Sequence, residues 1–168
     1  LPQSNCITIS SLANQNIDTA FFGHPRGLST LFYTEMWERF SYYGLRAILV
    51  LYMVADPSTG GLGFSIPKAS AIYSLYASMN YLLALPGGWL ADKFLGLRNA
   101  VIIGGILIAS GNALMFFPGL TTFYGGLAAI ICGTGLLKTN ASTMVGTLYR
   151  ENDPRRDSGF SIYYMGIN

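Results

Sequence analysis

Charge is the scarcest property of this 168-residue chain: Lys, Arg, Asp and Glu make up 11% of it, against roughly 25% in an average soluble domain. A water-soluble surface cannot be covered with so few. The net charge of +2 is too small and too scattered for nucleic-acid binding, which uses Lys and Arg clustered on one solvated face. Cysteine is nearly absent. Cys6 lies in a polar N-terminal segment and Cys132 inside an apolar run, so no disulfide framework is implied. A single histidine, His24, with no paired Cys/His spacing leaves zinc or haem without ligands. No metal or other cofactor is expected. No Ser or Cys nucleophile stands beside a base, and His24 falls outside the apolar runs, so an enzyme is not expected either. What the chain has is apolar surface: 51% hydrophobic residues, 14% aromatic and a mean hydropathy of +0.40. Disorder is excluded by that composition. Several apolar stretches of about twenty residues follow one another, each long enough to cross a hydrocarbon core of roughly 30 Å. The expected fold is all-α, a polytopic transmembrane helix bundle lying in the lipid bilayer.

The stretch 1–28 reads as an N-terminal tail and 29–168 as the membrane bundle. The tail begins with Leu1 and lacks the basic-then-apolar order of a secretory signal. Spans are expected at 29–54, 66–92, 99–117 and 122–149. Ala55-Asp56-Pro57 and a Gly-rich turn end the first; Pro118-Gly119 ends the third. Pro67 falls near the first turn of the second, where a missing N–H costs least. The charged stretch 149–157, with Pro154, is a loop, and a fifth span opens near Ser158. It is expected to be cut short at Asn168, as in a fragment of a longer protein. Arg26, Lys93, Arg98, Arg150, Arg155 and Arg156 fall in alternate connections and only Lys68 on the other side, six against one. The positive-inside rule then places the N-terminus in the cytoplasm of a multi-pass protein of the cell membrane.

Three cations remain inside the spans. Glu35, Glu38, Arg39 and Arg46 fall with Tyr42 and Tyr43 inside one stripe about 140° wide on the first helix. Each mid-membrane charge costs roughly 2.5–3.5 kcal/mol on insertion scales, so this stripe must face protein or a watery cavity. Lys138, near the middle of span four, is expected to pair with Glu35 or Glu38 across the helix interface. A purely structural clamp would balance its charges, but two carboxylates face three cations here. The surplus cation suits an anionic ligand, and a Glu between competing cations can change protonation as its partners move. An anion-bearing substrate coupled to a proton is the expectation. Span four is rich in small residues (Gly125, Gly126, Gly133, Gly135) that allow close helix approach. Span two carries a hydroxyl-rich side with Tyr73, Ser74, Tyr76, Ser78, Asn80 and Tyr81. Asp92 stands beside the basic loop that follows, and that loop is short enough to latch neighbouring helix ends.

The run Glu35-Met36-Trp37-Glu38-Arg39-Phe40-Ser41-Tyr42-Tyr43-Gly44 resembles the ExxERFxYYG signature of the proton-dependent oligopeptide transporter (POT/PTR) family, a branch of the major facilitator superfamily. The stretch 87–98, with Gly88, Asp92 and Arg98, resembles the superfamily's gating loop motif, with one extra residue between Asp92 and Gly96. The stretch 133–140 is similar to the family's helix-four segment, except that Thr139 stands where the family usually has Pro. The stretch 160–168 resembles its helix-five motif. The resemblance implies the N-terminal part of a major facilitator fold: four spans plus the start of a fifth, in a symporter that imports di- and tripeptides on the proton gradient. It assigns Glu35, Glu38, Arg39 and Lys138 to proton coupling. It assigns Arg46 and Lys138 to the peptide carboxylate, and Tyr43, Tyr76 and Asn168 to the peptide site. The partner it implies is the missing C-terminal bundle of the same protein, which would have to supply a carboxylate for the peptide's amino end. A carrier of nitrate or another small anion, and a peptide receptor or scaffold without transport, are the alternatives.

Overall fold

The structure is a computed structural model and describes residues 18–168; Cys6 and most of the expected tail lie outside the described residues. Helix α1, Arg26–Val54, starts directly after Pro25 and runs for 29 residues. It stops at Ala55, where Pro57 is near and the Asp56 side chain turns back to accept from the Ser58 N–H at 2.8 Å. A single 3₁₀ turn, Pro57–Thr59, closes on Gly60 at φ +90°, a conformation that favours glycine. Helix α2, Ile66–Leu82, carries Pro67 in its first turn.

The expected continuous span 66–92 is broken. Helix α2 ends at Leu82, Leu83 turns, and a short helix α3, Ala84–Leu90, takes over. Pro86 is the physical reason, because it has no N–H to offer the carbonyl four residues back, at Leu82. A wider π-helical turn, Ala91–Leu95, then leads to Gly96 at φ +75°. Helices α4, Leu97–Met115, and α5, Leu120–Thr147, follow, and α6 covers Arg156–Ile167. The helix ends differ from the expected span limits by two or three residues. Of these helices α4 and α5 are by themselves long and apolar enough to cross a membrane. Charges keep α1 from qualifying, and α2 has only 17 residues.

Helix α5 is the hub. One core joins Leu28 and Leu31 of α1 to Leu137, Ala141 and Val145 of α5 and to Tyr163 of α6. A second joins Leu49 and Met53 of α1 to Ala69 and Tyr76 of α2 and to Phe123, Leu127 and Ile130 of α5. In lipid, association of helices draws on close packing rather than on removal of apolar area from water, and α4 and α5 achieve it through glycine. A Cβ on Gly104 would stand 2.8 Å from the Gly133 carbonyl oxygen, and one on Gly111 2.7 Å from that of Gly126. Gly135 meets the Leu83 backbone in the same way, whereas Gly125 touches nothing within 4 Å. The small-residue side of span four is therefore narrower than expected.

The end of the expected tail is packed against the bundle. Phe21 and His24 bridge a tight turn, with Phe22 at φ 49° and Gly23 at φ 82°. The His24 ring is hydrogen-bonded to the Tyr149 hydroxyl at 2.8 Å, and Arg155 donates to the Gly23 carbonyl at 2.9 Å while pairing with Asp153. Asp18 accepts from the N–H groups of Ala20 and Arg26, which holds its carboxyl below the ordinary range and caps the start of α1. The strap ties α1 to the α5–α6 connection.

Candidate functional site

Between the two cores, α1 turns its carboxylates inward. Glu35 is 1% exposed and Glu38 6%. Arg39 serves both: its Nε lies 3.5 Å from Glu35 Oε1 and makes the closest pairing with Glu38 Oε2. The remaining oxygen of Glu35 accepts from the Tyr163 hydroxyl of α6 at 3.0 Å. Buried charges persist only when paired and hydrogen-bonded, and Glu35 meets both conditions. Tyr163 was not among the expected site residues. Its signal in the sequence was the tyrosine pair Tyr163-Tyr164 in the 160–168 stretch, but nothing there says which ring points inward.

Lys138 does not make the expected ion pair. Its charge acts on Glu38 at longer range, but among the described residues no carboxylate lies within ion-pair distance of its Nζ, which stands 4.8 Å from the centre of the Tyr81 ring. The reason is that Arg39, on the same helix as both acids and within one turn of each, already occupies the carboxylates from the nearer side. Arg46 is exposed and lies over Tyr73, 5.8 Å from its centre. Among the described residues neither cation has an acidic partner. Tyr42 links the two regions. Arg39 lies over its ring at 5.1 Å, Tyr76 stacks against it at 6.5 Å, and Arg46, Tyr73 and Tyr81 are near enough to act on it electrostatically. The polar stripe of α1 is thus divided into a closed acidic half and an open cationic half.

The other expected site residues separate in the same way. Tyr43 is exposed beside Tyr42, and Asn168 is exposed at the end of α6, its Nδ2 donating to the Tyr164 carbonyl. Tyr76 is 2% exposed, packed between α1 and α5, and so does not present itself to a ligand; Tyr81, at 66%, stands beside Lys138 instead. Five residues, or about 140° around the axis, separate the two on α2, so they point to different faces. Gly88 packs near Thr139 of α5, where a Cβ would meet Oγ1 at 3.7 Å. Asp92 and Arg98 are both exposed and form no ion pair among the described residues. Lys93 instead lies over the rings of Trp89 and Phe94. Thr139 leaves α5 helical throughout, its hydroxyl donating to the Gly135 carbonyl at 3.2 Å. Among the described residues no group of His, Cys, Asp and Glu is placed to hold a metal ion.

Comparison with known proteins finds relatives over most of the chain. Residues 98–168 match the POT family. The chain is 53% identical over 166 residues to the uncharacterized transporter YclF of Bacillus subtilis (strain 168), a match spanning 95% of this chain and 34% of that protein. It is 56% identical over 151 residues to the peptide transporter YePEPT of Yersinia enterocolitica subsp. palearctica, spanning 88% of this chain and 30% of that one. It is 51% identical over 154 residues to a di-/tripeptide transporter of Lactococcus lactis subsp. cremoris, spanning 90% and 31%. Among solved structures, a mutant of a peptide transporter POT in complex with alafosfalin is similar with a TM-score of 0.87 at 52% identity, covering 90% of this chain and 31% of that one. The chain spans about a third of the length of these relatives.

Proposed function

The chain belongs to the POT family of the major facilitator superfamily, and from that premise we propose that it works as the N-terminal part of a proton-coupled symporter importing di- and tripeptides by alternating access. One observation carries the proposal: a single Arg39 shared by two buried carboxylates, next to two cations, Arg46 and Lys138, that have tyrosine rings but no acid beside them. A peptide brings the missing anion. Its carboxylate is held by the Arg46 guanidinium, which offers a planar fork of donors, and by the Lys138 ammonium. Tyr43, Tyr81 and Asn168 frame it. Tyr76 is left out because it is buried. The peptide's amino end is met by a carboxylate from the remainder of the protein, a second bundle of the kind that the relatives' length leaves room for.

Protons enter at the closed half. A proton on Glu35 or Glu38 removes one of the two negative charges that hold Arg39, so the guanidinium is freed to move toward the peptide-facing side. Departure of the peptide and of the proton restores the original pairing. Lys138 acts on this exchange through its field at Glu38 rather than as a direct partner. The N-terminus lies in the cytoplasm of a multi-pass protein of the cell membrane, protons are the coupling ion, and no other cofactor enters. This is a carrier, not an enzyme. Full-length protein in liposomes is expected to take up a labelled dipeptide only under an inward proton gradient. Gradient-driven uptake unchanged by Glu38→Gln would remove Glu38 from the coupling role.

A further inference from the structure

Against Glu38 lies a cavity that none of these roles uses. It is lined by Glu38, Ser41, Tyr42, Tyr76, Ile108 and Thr134, among others, and its volume is about 10 Å³. That is the space of about one water molecule. Tyr76 and Thr134 are 2% and 3% exposed, and the Tyr76 hydroxyl has no hydrogen-bond partner. The Asn80 side chain lies near it, but its Nδ2 donates to the Tyr76 carbonyl, and among the described residues its Oδ1 is likewise without a partner. A buried hydroxyl left unpaired is costly and uncommon. Next to the cavity a cleft of about 300 Å³ between α1 and α4 shares Glu38, Ser41 and Ile108 with it.

We propose that the cavity holds one internal water, hydrogen-bonded to the Glu38 carboxyl and the Tyr76 hydroxyl, with Thr134 as a third partner, since Ser41 Oγ already accepts from Asn112. Arg39 can only donate, so it offers no acceptor to the O–H that Glu38 gains on protonation. Water both donates and accepts. It donates to the carboxylate, and when Glu38 takes up a proton it turns to accept that O–H, so the residue keeps a partner in either state. The water serves the coupling role proposed above for Glu38, but its presence does not depend on that role.

A crystal structure of the full-length protein, at a resolution that reveals its other buried waters, is expected to show one density peak within hydrogen-bond distance of Glu38 and Tyr76. An empty cavity, or a Tyr76 hydroxyl bonded directly to Asn80 Oδ1, overturns the proposal whatever the transport data show. In liposomes, Thr134→Val keeps the shape and removes a hydroxyl. It is expected to lower gradient-driven dipeptide uptake about fivefold while leaving peptide counterflow within about twofold, with Thr134→Ser restoring uptake. Equal loss in both assays, or no loss in either, would overturn the water's part in coupling. Coupling that survives Glu38→Gln alongside a well-formed water peak would instead strike at the coupling assignment and leave the water site standing.

Discussion

The two halves of α1's polar stripe handle charge in opposite ways. Glu35, Glu38 and Arg39 are packed among protein, and the Tyr163 hydroxyl completes Glu35. Arg46 and Lys138 stand at more open positions with only aromatic faces beside them. The closed half holds helices α1 and α6 in register, and every group in it depends on another. The open half is tolerated because tyrosine rings offer a cation modest attraction without neutralising it, so its charge remains available. Helix α1 thus carries paired charges at one level and an unneutralised cation at another.

If that division holds, the largest effect falls in the closed half. Arg39→Ala leaves two carboxylates buried together, a loss of about 3–5 kcal/mol, and is expected to lower the unfolding temperature of the full-length protein in detergent sharply. A thermal shift no larger than that of a surface substitution would break the comparison. Next come the open cations. Lys138→Met or Arg46→Gln is expected to raise the KM for a dipeptide about 10–100-fold, the loss of a hydrogen bond to a charged group, with little change in thermal stability. The reverse pattern, lost stability with KM intact, would make these cations structural.

Tyr163→Phe tests the link between α1 and α6. It removes the donor to Glu35 and is expected to cost about 1–2 kcal/mol in thermal unfolding, less than Arg39→Ala because Arg39 remains. The smallest effect belongs to the Arg155–Asp153 pair outside the membrane, which shows the same chemistry in water. The hydrogen bonds from Arg155 hold the Asp153 carboxyl below its ordinary range. A depressed folded value means that the pair stabilises above the ordinary carboxylate value of about 3.9 and stops doing so as pH falls through the folded one. The difference in unfolding temperature between wild type and Asp153→Asn is therefore expected to be slight near neutral pH and to vanish in strong acid.

Much of this was legible in the residues. Long apolar runs punctuated by Pro and Gly marked the helices to within two or three residues, because lipid leaves the backbone no other way to satisfy itself. The 100° step of a helix placed Glu35, Glu38, Arg39 and Arg46 on one stripe before any coordinates. The break at Leu83 was also available, since Pro86 stands in plain view. It was masked by the high hydropathy around it. Less legible were the partners. Tyr76 and Tyr81 have the same chemistry and neighbouring positions on α2, yet only the crossing of α2 with α1 and α5 buries the first and leaves the second beside Lys138.

The sequence by itself determined that the chain is helical and membrane-embedded, and that the cations within its spans outnumber the two acids of its first span, because composition and periodicity depend only on the order of residues. Which acid each cation meets was decided by the tertiary structure. Pairing is a matter of a few ångströms between side chains of different helices. Helix packing through glycine contacts sets those distances, bringing α6 close enough for Tyr163 to reach Glu35 while Arg39 holds both acids and Lys138 is left over.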